Sequence, residues 1–257
     1  MENIALTIAG SDPSGGAGLQ VDLKVFKEIG VFGMGVLTSL TVQNSKGVYQ
    51  TYPLEKGAVF NQLQVLFDDF DIKAAKTGML LKEYVIEEIY EVFKDKYTML
   101  VVDPVLVSSS GKVLLEKQGI KLLKEKLFPI TDILTPNIYE AEILSGLKIY
   151  TEKDIKKAGE ILKSFGVKVV VIKGGHFKSG NKVIDYIFFD KSFIPIEYPR
   201  ININDVHGTG CVLSSAITAY LALGYDFLKA IETARAFFQH KIQLVKMFGK
   251  GSFYFSL

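Results

Sequence analysis

The chain of 257 residues is 48% hydrophobic and carries 30 Lys and Arg residues against 28 Asp and Glu, a net charge of +2. This length and apolar fraction allow one large core, and no block of like charge indicates a nucleic-acid or membrane partner. The single cysteine excludes an intrachain disulfide. We expect a cytoplasmic protein, because no apolar run is long enough for a membrane span and the N-terminus lacks the basic start of a signal peptide.

A strand, a glycine-rich loop and a helix open the chain. Residues 4–9 form a short apolar run, and a helical pattern extends from the loop to Ile29. The glycine spacing fits neither a P-loop nor the dinucleotide fingerprint. Asp22 falls on the apolar face of the helix, where a carboxylate needs a partner. It either caps a backbone or pairs with a lysine as a structural residue, or it binds a ligand near the loop.

The second predicted strand, residues 36–42, ends at an amide side chain, Gln43. This amide either caps a turn or reads the edge of a heterocycle through its adjacent donor and acceptor. The elements that follow are an extended segment at 48–52, an amphipathic helix at 55–70, a strand at 72–75 that ends at Lys76, and a helix at 82–94.

The strand at 99–102 is continuously apolar, which is typical of a parallel strand covered on both faces. It ends at Asp103, which either caps the turn before Pro104 or holds magnesium or its water. Farther along, Asn137 and Glu140 have the spacing of a helix capping box. Taken alone, that pair therefore gives only a weak indication of function.

A lysine and two glycines follow the strand at 167–172. Lys173, at the end of this strand, is suited to neutralise phosphate charge at the edge of a parallel sheet. The other predicted elements are helices at 117–127, 152–165, 212–223 and 227–245, a short strand at 132–134, and a hairpin across residues 190–192.

Gly208, Thr209 and Gly210 stand directly before the predicted helix at 212–223. Such residues leave backbone N–H groups free to bind an anion at the positive end of the helix dipole, as phosphoryl transfer requires. Cys211 falls in the first turn, where a thiol pKa is lowered most easily, so it is a candidate base. The alternative is that the glycines only make a turn and Cys211 is a small buried residue.

Strands alternate with helices through most of the chain. This order predicts an α/β fold, one domain spanning residues 1–257, with a mostly parallel sheet covered on both faces and a small β excursion at 36–52. Ligands bind at the carboxyl ends of the strands in such sheets. The unusual polar residues fall there repeatedly: in the loop after Ala9 and at Gln43, Lys76, Asp103, Asn137 and Lys173.

Seven segments together closely resemble the hydroxymethylpyrimidine/phosphomethylpyrimidine kinases of thiamin biosynthesis. The resemblance implies a ribokinase-like, three-layer α/β/α fold and the use of ATP with magnesium. It also implies two successive phosphorylations of 4-amino-5-hydroxymethyl-2-methylpyrimidine, to the monophosphate and then to the diphosphate. The segments are Ala9-Gly-Ser-Asp-Pro-Ser-Gly-Gly-Ala-Gly18, Val42-Gln-Asn44, Lys76-Thr-Gly-Met79, Val102-Asp-Pro-Val105, Thr135-Pro-Asn-Ile-Tyr-Glu-Ala-Glu142, Lys173-Gly-Gly-His176 and Asp205-Val-His-Gly-Thr-Gly-Cys211.

The same resemblance implies roles for individual residues. Cys211 would stand where sugar kinases of the wider superfamily place an aspartate base, beside an anion hole. Asp103 and Glu140 would serve magnesium, and Lys173 and Asn137 would bind ATP. The anion hole would comprise Gly208, Thr209 and Gly210, and the pyrimidine site would comprise Gln43, Asp22, Gly10, Val42 and Met79.

Other functions suit parts of the same pattern. A pyridoxine or pyridoxal kinase would use a similar pocket for a methylated ring bearing a hydroxymethyl group. A sugar kinase is disfavoured because Cys211 replaces the expected aspartate. A non-catalytic pyrimidine sensor would tolerate loss of the anion hole and the metal carboxylates, and both are present. The family also implies a homodimer formed through the strands near 36–52.

Overall fold

The computed structural model describes residues 3–108, 111–175, 180–203 and 205–257. Within these residues, nine strands form one sheet in the order β3-β2-β1-β4-β5-β6-β7-β8-β9. The strands are β1 (Ile4–Ser11), β2 (Phe32–Asn44), β3 (Gly47–Pro53), β4 (Ala74–Thr77), β5 (Met99–Val102), β6 (Ile133–Leu134), β7 (Val169–Ile172), β8 (Lys182–Phe189) and β9 (Ser192–Pro199).

Helices connect most of these strands, as the alternating pattern predicts. None of the helices in the described residues is long and apolar enough to cross a membrane. The α-helices are α1 (Gly18–Ile29), α2 (Ala58–Asp69), α3 (Glu83–Phe93), α4 (Lys117–Leu122), α5 (Ile138–Ser145), α6 (Glu152–Ser164), α7 (Thr209–Ala222) and α8 (Phe227–Ile242).

The sheet is parallel in its centre and antiparallel at both edges. Strand β1 pairs in parallel with β2 and β4, and the pairs β4–β5, β5–β6 and β6–β7 are also parallel. Strand β3 pairs antiparallel with β2, and the hairpin β8–β9 extends β7 antiparallel. The predicted mostly parallel sheet is therefore confirmed.

Apolar cores lie on both faces of the sheet. On one face, side chains such as Leu63 of α2, Ile86 of α3 and Leu162 of α6 pack on the strands. On the other face, α1, α7 and α8 contribute side chains such as Val25 and Ile217. These two cores give the predicted three layers, and they leave the carboxyl ends of the parallel strands open at one edge.

Strand β2 begins four residues before the predicted strand. Its first half pairs with β1, and its second half continues beyond the central sheet to pair with β3, which forms the predicted β excursion. Gly33 and Gly35 interrupt the apolar pattern in the sequence. A Cβ at Gly35 would lie 2.9 Å from Cδ1 of Leu19, so the absence of a side chain there lets α1 pack closely on β2.

Two segments differ from the predicted helices. The helix expected at 117–127 is α-helical only to Leu122 and continues as a π turn over Leu123–Leu127. The last helix ends at Ile242, and the chain then turns back toward the carboxyl edge of the sheet. There Phe253 forms a bridge with Val206. This return was missed because it contains neither a helical nor an alternating apolar pattern.

Candidate active site

A cavity of about 720 Å³ opens at the carboxyl ends of β1, β2, β4, β5 and β7, where the sequence predicts a ligand site. Most of the residues implied by the resemblance line it. Those residues are Gly10, Gln43, Met79, Asp103, Asn137, Glu140, Lys173, Gly208, Thr209, Gly210 and Cys211.

The first turn of α7 supplies the candidate anion hole. The helix begins at Thr209, and no side chain of the described residues caps its N-terminus, so the N–H groups of the first turn remain available to a ligand. Gly208 precedes the helix in the left-handed conformation, at φ 77°. A Cβ at Gly208 would lie 2.0 Å from the carbonyl oxygen of Gly16, so only glycine lets the two loops approach this closely.

Cys211 lies in this first turn and lines the cavity. The expected lowering of its pKa is not found: burial raises the pKa of the Cys211 thiol to about 12, although Lys76 and the backbone N–H of Gly18 act in the opposite direction. Desolvation, together with the charges of Asp22 and Asp103, therefore outweighs the effects of Lys76 and of the Gly18 N–H. At neutral pH the residue is a protonated thiol, with only a small thiolate fraction.

Asp103 and Lys173 form an ion pair beside the candidate anion hole. The Lys173 ammonium lies 2.9 Å from Oδ1 of Asp103, and Thr135 and Ser214 donate to the same carboxylate at 3.2 Å. Burial alone would raise the pKa of Asp103, but Lys173 and Lys76 outweigh it and the pKa is lowered. Asp103 is therefore negatively charged and Lys173 positively charged beside the start of α7.

Glu140 caps the N-terminus of α5 and also lines the cavity. Asn137 and Glu140 form the predicted capping box: the Glu140 N–H donates to Oδ1 of Asn137, and Oε2 of Glu140 accepts the Asn137 N–H at 2.8 Å. Burial raises the pKa of Glu140 to about 7, Lys173 lowers it and the nearby Asp103 raises it further. Glu140 can therefore cap α5 and still present its carboxyl group to a ligand in the cavity.

Two buried carboxylates, Asp103 and Glu140, lie beside the candidate anion hole and have the chemistry to bind a magnesium ion. Within the described ranges, no group of three or more His, Cys, Asp and Glu side chains could enclose a metal. Magnesium usually binds through one or two carboxylates together with substrate phosphates and water. Asp103 and Glu140 match that donor set.

We expect the substitution Glu140→Gln to stabilise the protein above pH 7 in the absence of magnesium. Unfolded glutamate loses its proton near pH 4.5, whereas folded Glu140 keeps it to about pH 7. The folded state therefore binds more protons in that window, and the free energy of unfolding falls by about 3 kcal/mol as pH rises through it. Glutamine keeps the capping oxygen and removes this loss.

Urea unfolding at pH 5 and pH 8 measures the effect. The variant should exceed the wild type at pH 8 and match it at pH 5. An equal difference at the two pH values would show that Glu140 does not titrate in this window.

The structure places Asp22 behind the cavity wall rather than in its lining. Its side chain is fully buried, and its Oδ1 lies 2.9 Å from the ammonium of Lys76, which is fully buried too. Thr7 donates to Oδ2 and Ser215 donates to Oδ1, each at 2.6 Å. The direct substrate contact predicted for Asp22 is thus replaced by the structural alternative, a lysine pair, because these partners enclose the carboxylate.

Val42 is also outside the cavity lining. Its side chain is 45% exposed on the segment of β2 that pairs with β3. Gly10 and Met79 do lie in the wall, and a Cβ at Gly10 would come within 2.3 Å of Cε of Met79. His176, the last residue of the segment that begins at Lys173, lies outside the described residues.

Sequence reasoning missed two polar residues of the cavity wall, Asp12 and His207. Nε2 of His207 lies 2.9 Å from Oδ2 of Asp12 and 2.9 Å from Nε2 of Gln43. Asp12 lies in the first of the seven segments given above and His207 in the last, and 195 positions separate the two residues along the chain. Only their place beside glycines in two loops at the same sheet edge could have indicated the contact.

Comparisons with known proteins agree with this site. The family model for phosphomethylpyrimidine kinase matches residues 12–255. A hydroxymethylpyrimidine/phosphomethylpyrimidine kinase from Aquifex aeolicus is 44% identical over 249 residues, covering 96% of this chain and 97% of the relative.

Solved structures show the same fold. A phosphomethylpyrimidine kinase from Clostridium difficile has a TM-score of 0.82 at 40% identity, covering 93% of this chain and 99% of that one. A pyridoxal kinase from Staphylococcus aureus in complex with AMP-PCP and pyridoxal has a TM-score of 0.91 at 32% identity, covering 100% of this chain and 93% of that one. The expected ribokinase-like fold is confirmed, and the chain belongs to the phosphomethylpyrimidine kinase family.

Proposed function

We propose that this kinase uses ATP to phosphorylate 4-amino-5-hydroxymethyl-2-methylpyrimidine and then its monophosphate, giving the diphosphate used in thiamin biosynthesis. The observation that carries the proposal is that one cavity joins the uncapped start of α7, the Asp103–Lys173 pair and the amide of Gln43. This phosphoryl transfer needs a site for the phosphate anion, charged groups beside it, and a polar group that binds the heterocyclic substrate.

The phosphate end of the cavity would hold the nucleotide. Lys173 and Asn137 would bind ATP, and the N–H groups of the anion hole, Gly208, Thr209 and Gly210, would stabilise the charge on the phosphoryl group in transfer. Asp103 and Glu140 would hold magnesium, which offsets the charge that develops on the phosphate oxygens.

The reaction forms one bond and breaks one bond. The substrate hydroxyl oxygen bonds to the terminal phosphorus of ATP, the bond from that phosphorus to the bridging oxygen breaks, and ADP leaves. The hydroxyl proton passes to the thiolate form of Cys211. In the second round, a phosphate oxygen of the monophosphate takes the place of the hydroxyl.

Phosphorylation of pyridoxal is the second candidate. It is favoured by the likeness to pyridoxal kinases, which reach TM-scores of 0.90 and 0.91 but only 33% and 32% identity. The phosphomethylpyrimidine kinase relative from Aquifex aeolicus reaches 44%. The pyrimidine is therefore the preferred substrate.

A coupled ATPase assay with magnesium, followed by mass analysis of the products, tests the proposal. Hydroxymethylpyrimidine should give the diphosphate, with at most slow conversion of pyridoxal. Efficient conversion of pyridoxal with the pyrimidine stopping at the monophosphate would assign the protein to vitamin B6 salvage instead.

We place a second copy of the chain against β2 and β3, where large apolar side chains are exposed. Phe32 is 53% exposed, Tyr49 60% and Tyr52 50%. Light scattering should therefore give twice the chain mass of 28.5 kDa. We place the protein in the cytoplasm because ATP, its phosphoryl donor, is found there.

A further inference from the structure

His207 connects the glycine-rich loop after β1 with the end of β2. Its Nε2 lies between Oδ2 of Asp12 and Nε2 of Gln43, at 2.9 Å from each. The imidazole is largely buried and forms a T-shaped contact with the ring of Tyr254, and the backbone N–H of His207 donates to the carbonyl of Phe253. The position of the ring is therefore determined by packing as well as by these polar contacts.

The direction of the bond to Asp12 follows from the charge of that carboxylate. Burial alone would raise the pKa of Asp12, but hydrogen bonds from His207 and Ser14 outweigh it and lower the pKa. The N–H groups of Gly16 and Ala17 also donate to Oδ2. An ionised carboxylate can only accept, so Nε2 of His207 carries a proton and donates it to Asp12.

This proton determines which way the Gln43 amide faces. When Nε2 of Gln43 faces His207, the amide N–H group points at the protonated Nε2 of the imidazole, so two hydrogen-bond donors face each other. The Thr41 hydroxyl would also have one hydrogen for two acceptors, the Ser11 carbonyl at 2.8 Å and Oε1 of Gln43 at 3.3 Å. A half turn of the amide removes the contact between two donors and gives the Thr41 oxygen a donor of its own. The single Nε2 hydrogen of His207 is then shared between two acceptors, Oδ2 of Asp12 and the amide oxygen of Gln43, as a bifurcated hydrogen bond. The amide nitrogen donates to Thr41, which donates to Ser11.

We propose that His207 is a positioning residue that determines substrate specificity, by holding the Gln43 amide in this one orientation. One lone pair and one N–H of the amide remain free, side by side, for a ligand. The order of this acceptor and this donor along the amide suits one of two rings and not the other. An aminopyrimidine offers a ring-nitrogen acceptor beside an amino donor, and an oxopyrimidine offers the reverse. The inference rests on the proposed function, in which Gln43 reads the aminopyrimidine.

The matched substitutions His207→Gln and His207→Asn test this role. Glutamine can place its amide nitrogen where Nε2 of the imidazole stands, whereas asparagine is too short to reach Gln43. Both introduce the same functional group beside the anion hole. The measurement is the ratio of kcat/KM for hydroxymethylpyrimidine to kcat/KM for its 4-oxo analogue, with ATP and magnesium.

We expect the wild type to prefer the amino compound at least about a hundredfold. His207→Gln should keep this ratio within about threefold, and His207→Asn should reduce it by about tenfold or more, because the amide can then turn. If His207→Asn keeps the wild-type ratio while both rates fall, the residue is only structural and the proposal is overturned. Should this variant fail to fold, His207→Phe, which keeps a ring, replaces it with the same expectation.

A separate variant, Gln43→Ala, distinguishes failure of the proposed function from failure of the role proposed for His207. Gln43→Ala should raise KM for the pyrimidine and abolish the preference for the amino compound. If Gln43→Ala keeps the preference, Gln43 does not read the ring, and the assignment of the pyrimidine site fails whatever His207 does. If Gln43→Ala loses it and His207→Asn does not, the site assignment stands and only the role of His207 is overturned.

Discussion

Replacing Cys211 by alanine is expected to lower kcat by a factor of about a hundred to ten thousand, the usual contribution of a general base. The KM for ATP should change little, because Lys173, Asn137 and the start of α7 hold the phosphates in the proposed site. A coupled assay that separates kcat from KM measures the effect. A kcat within about threefold of the wild type would show that Cys211 is not the base.

The pH dependence of kcat gives an independent test of the same residue. Because burial raises the pKa of the Cys211 thiol to about 12, the thiolate fraction grows about tenfold per pH unit below that value. The wild-type kcat should therefore rise between about pH 7 and pH 9, and Cys211→Ala should lose this slope. Cys211→Ser is the matched control: it keeps a side chain of similar shape but replaces the thiol, so it should behave like alanine.

Replacing Lys76 by methionine is expected to reduce the free energy of unfolding by about 3–5 kcal/mol. Lys76 and Asp22 are both fully buried, and their charged atoms lie 2.9 Å apart. Methionine fills much of the same space but leaves the Asp22 carboxylate buried without a cation. Urea unfolding of the two proteins at the same pH measures the loss.

Two controls separate the lost charge pair from lost packing. The double variant Lys76→Met with Asp22→Asn should recover part of the stability, because a neutral amide oxygen still accepts from Thr7 or Ser215. Lys121→Met, which breaks the pair with Glu125 at 3.8 Å where both side chains are exposed, should cost less than about 1 kcal/mol. A loss below about 1 kcal/mol in Lys76→Met itself would contradict a charged buried pair.

The buried pair also bears on the chemistry of the thiol. Lys76 is the cation that lowers the pKa of Cys211 against the effect of burial. Removing it should make the thiolate scarcer still. We therefore expect Lys76→Met to lower kcat at neutral pH even at a temperature where the variant is fully folded.

Much of the fold could be predicted from local pattern. The continuously apolar strands β5 and β7, each followed directly by a charged residue, indicate a sheet covered on both faces with polar groups at one edge. The capping box at Asn137 and Glu140 was likewise visible from spacing alone. These features depend on neighbours in the chain, which is why the sequence predicts them.

Contacts between distant segments needed the tertiary structure. The return of the chain after α8 has no periodic pattern, yet Lys250, Gly251 and Ser252 line the cavity. The partner of Asp22 is Lys76, 54 positions away, and the partner of Gln43 is His207, 164 positions away. Nothing in the local sequence distinguishes these pairs from other polar residues at the strand ends.

The sequence by itself determined the order of strands and helices, the sheet edge that carries the site, and the residues that mark this family. Only the tertiary structure decided that Asp22 is buried behind the wall, that His207 contacts Gln43, and that burial raises rather than lowers the pKa of Cys211. The physical reason is that helix and strand patterns arise from local spacing. Desolvation and charge pairing depend instead on which distant groups enclose a side chain.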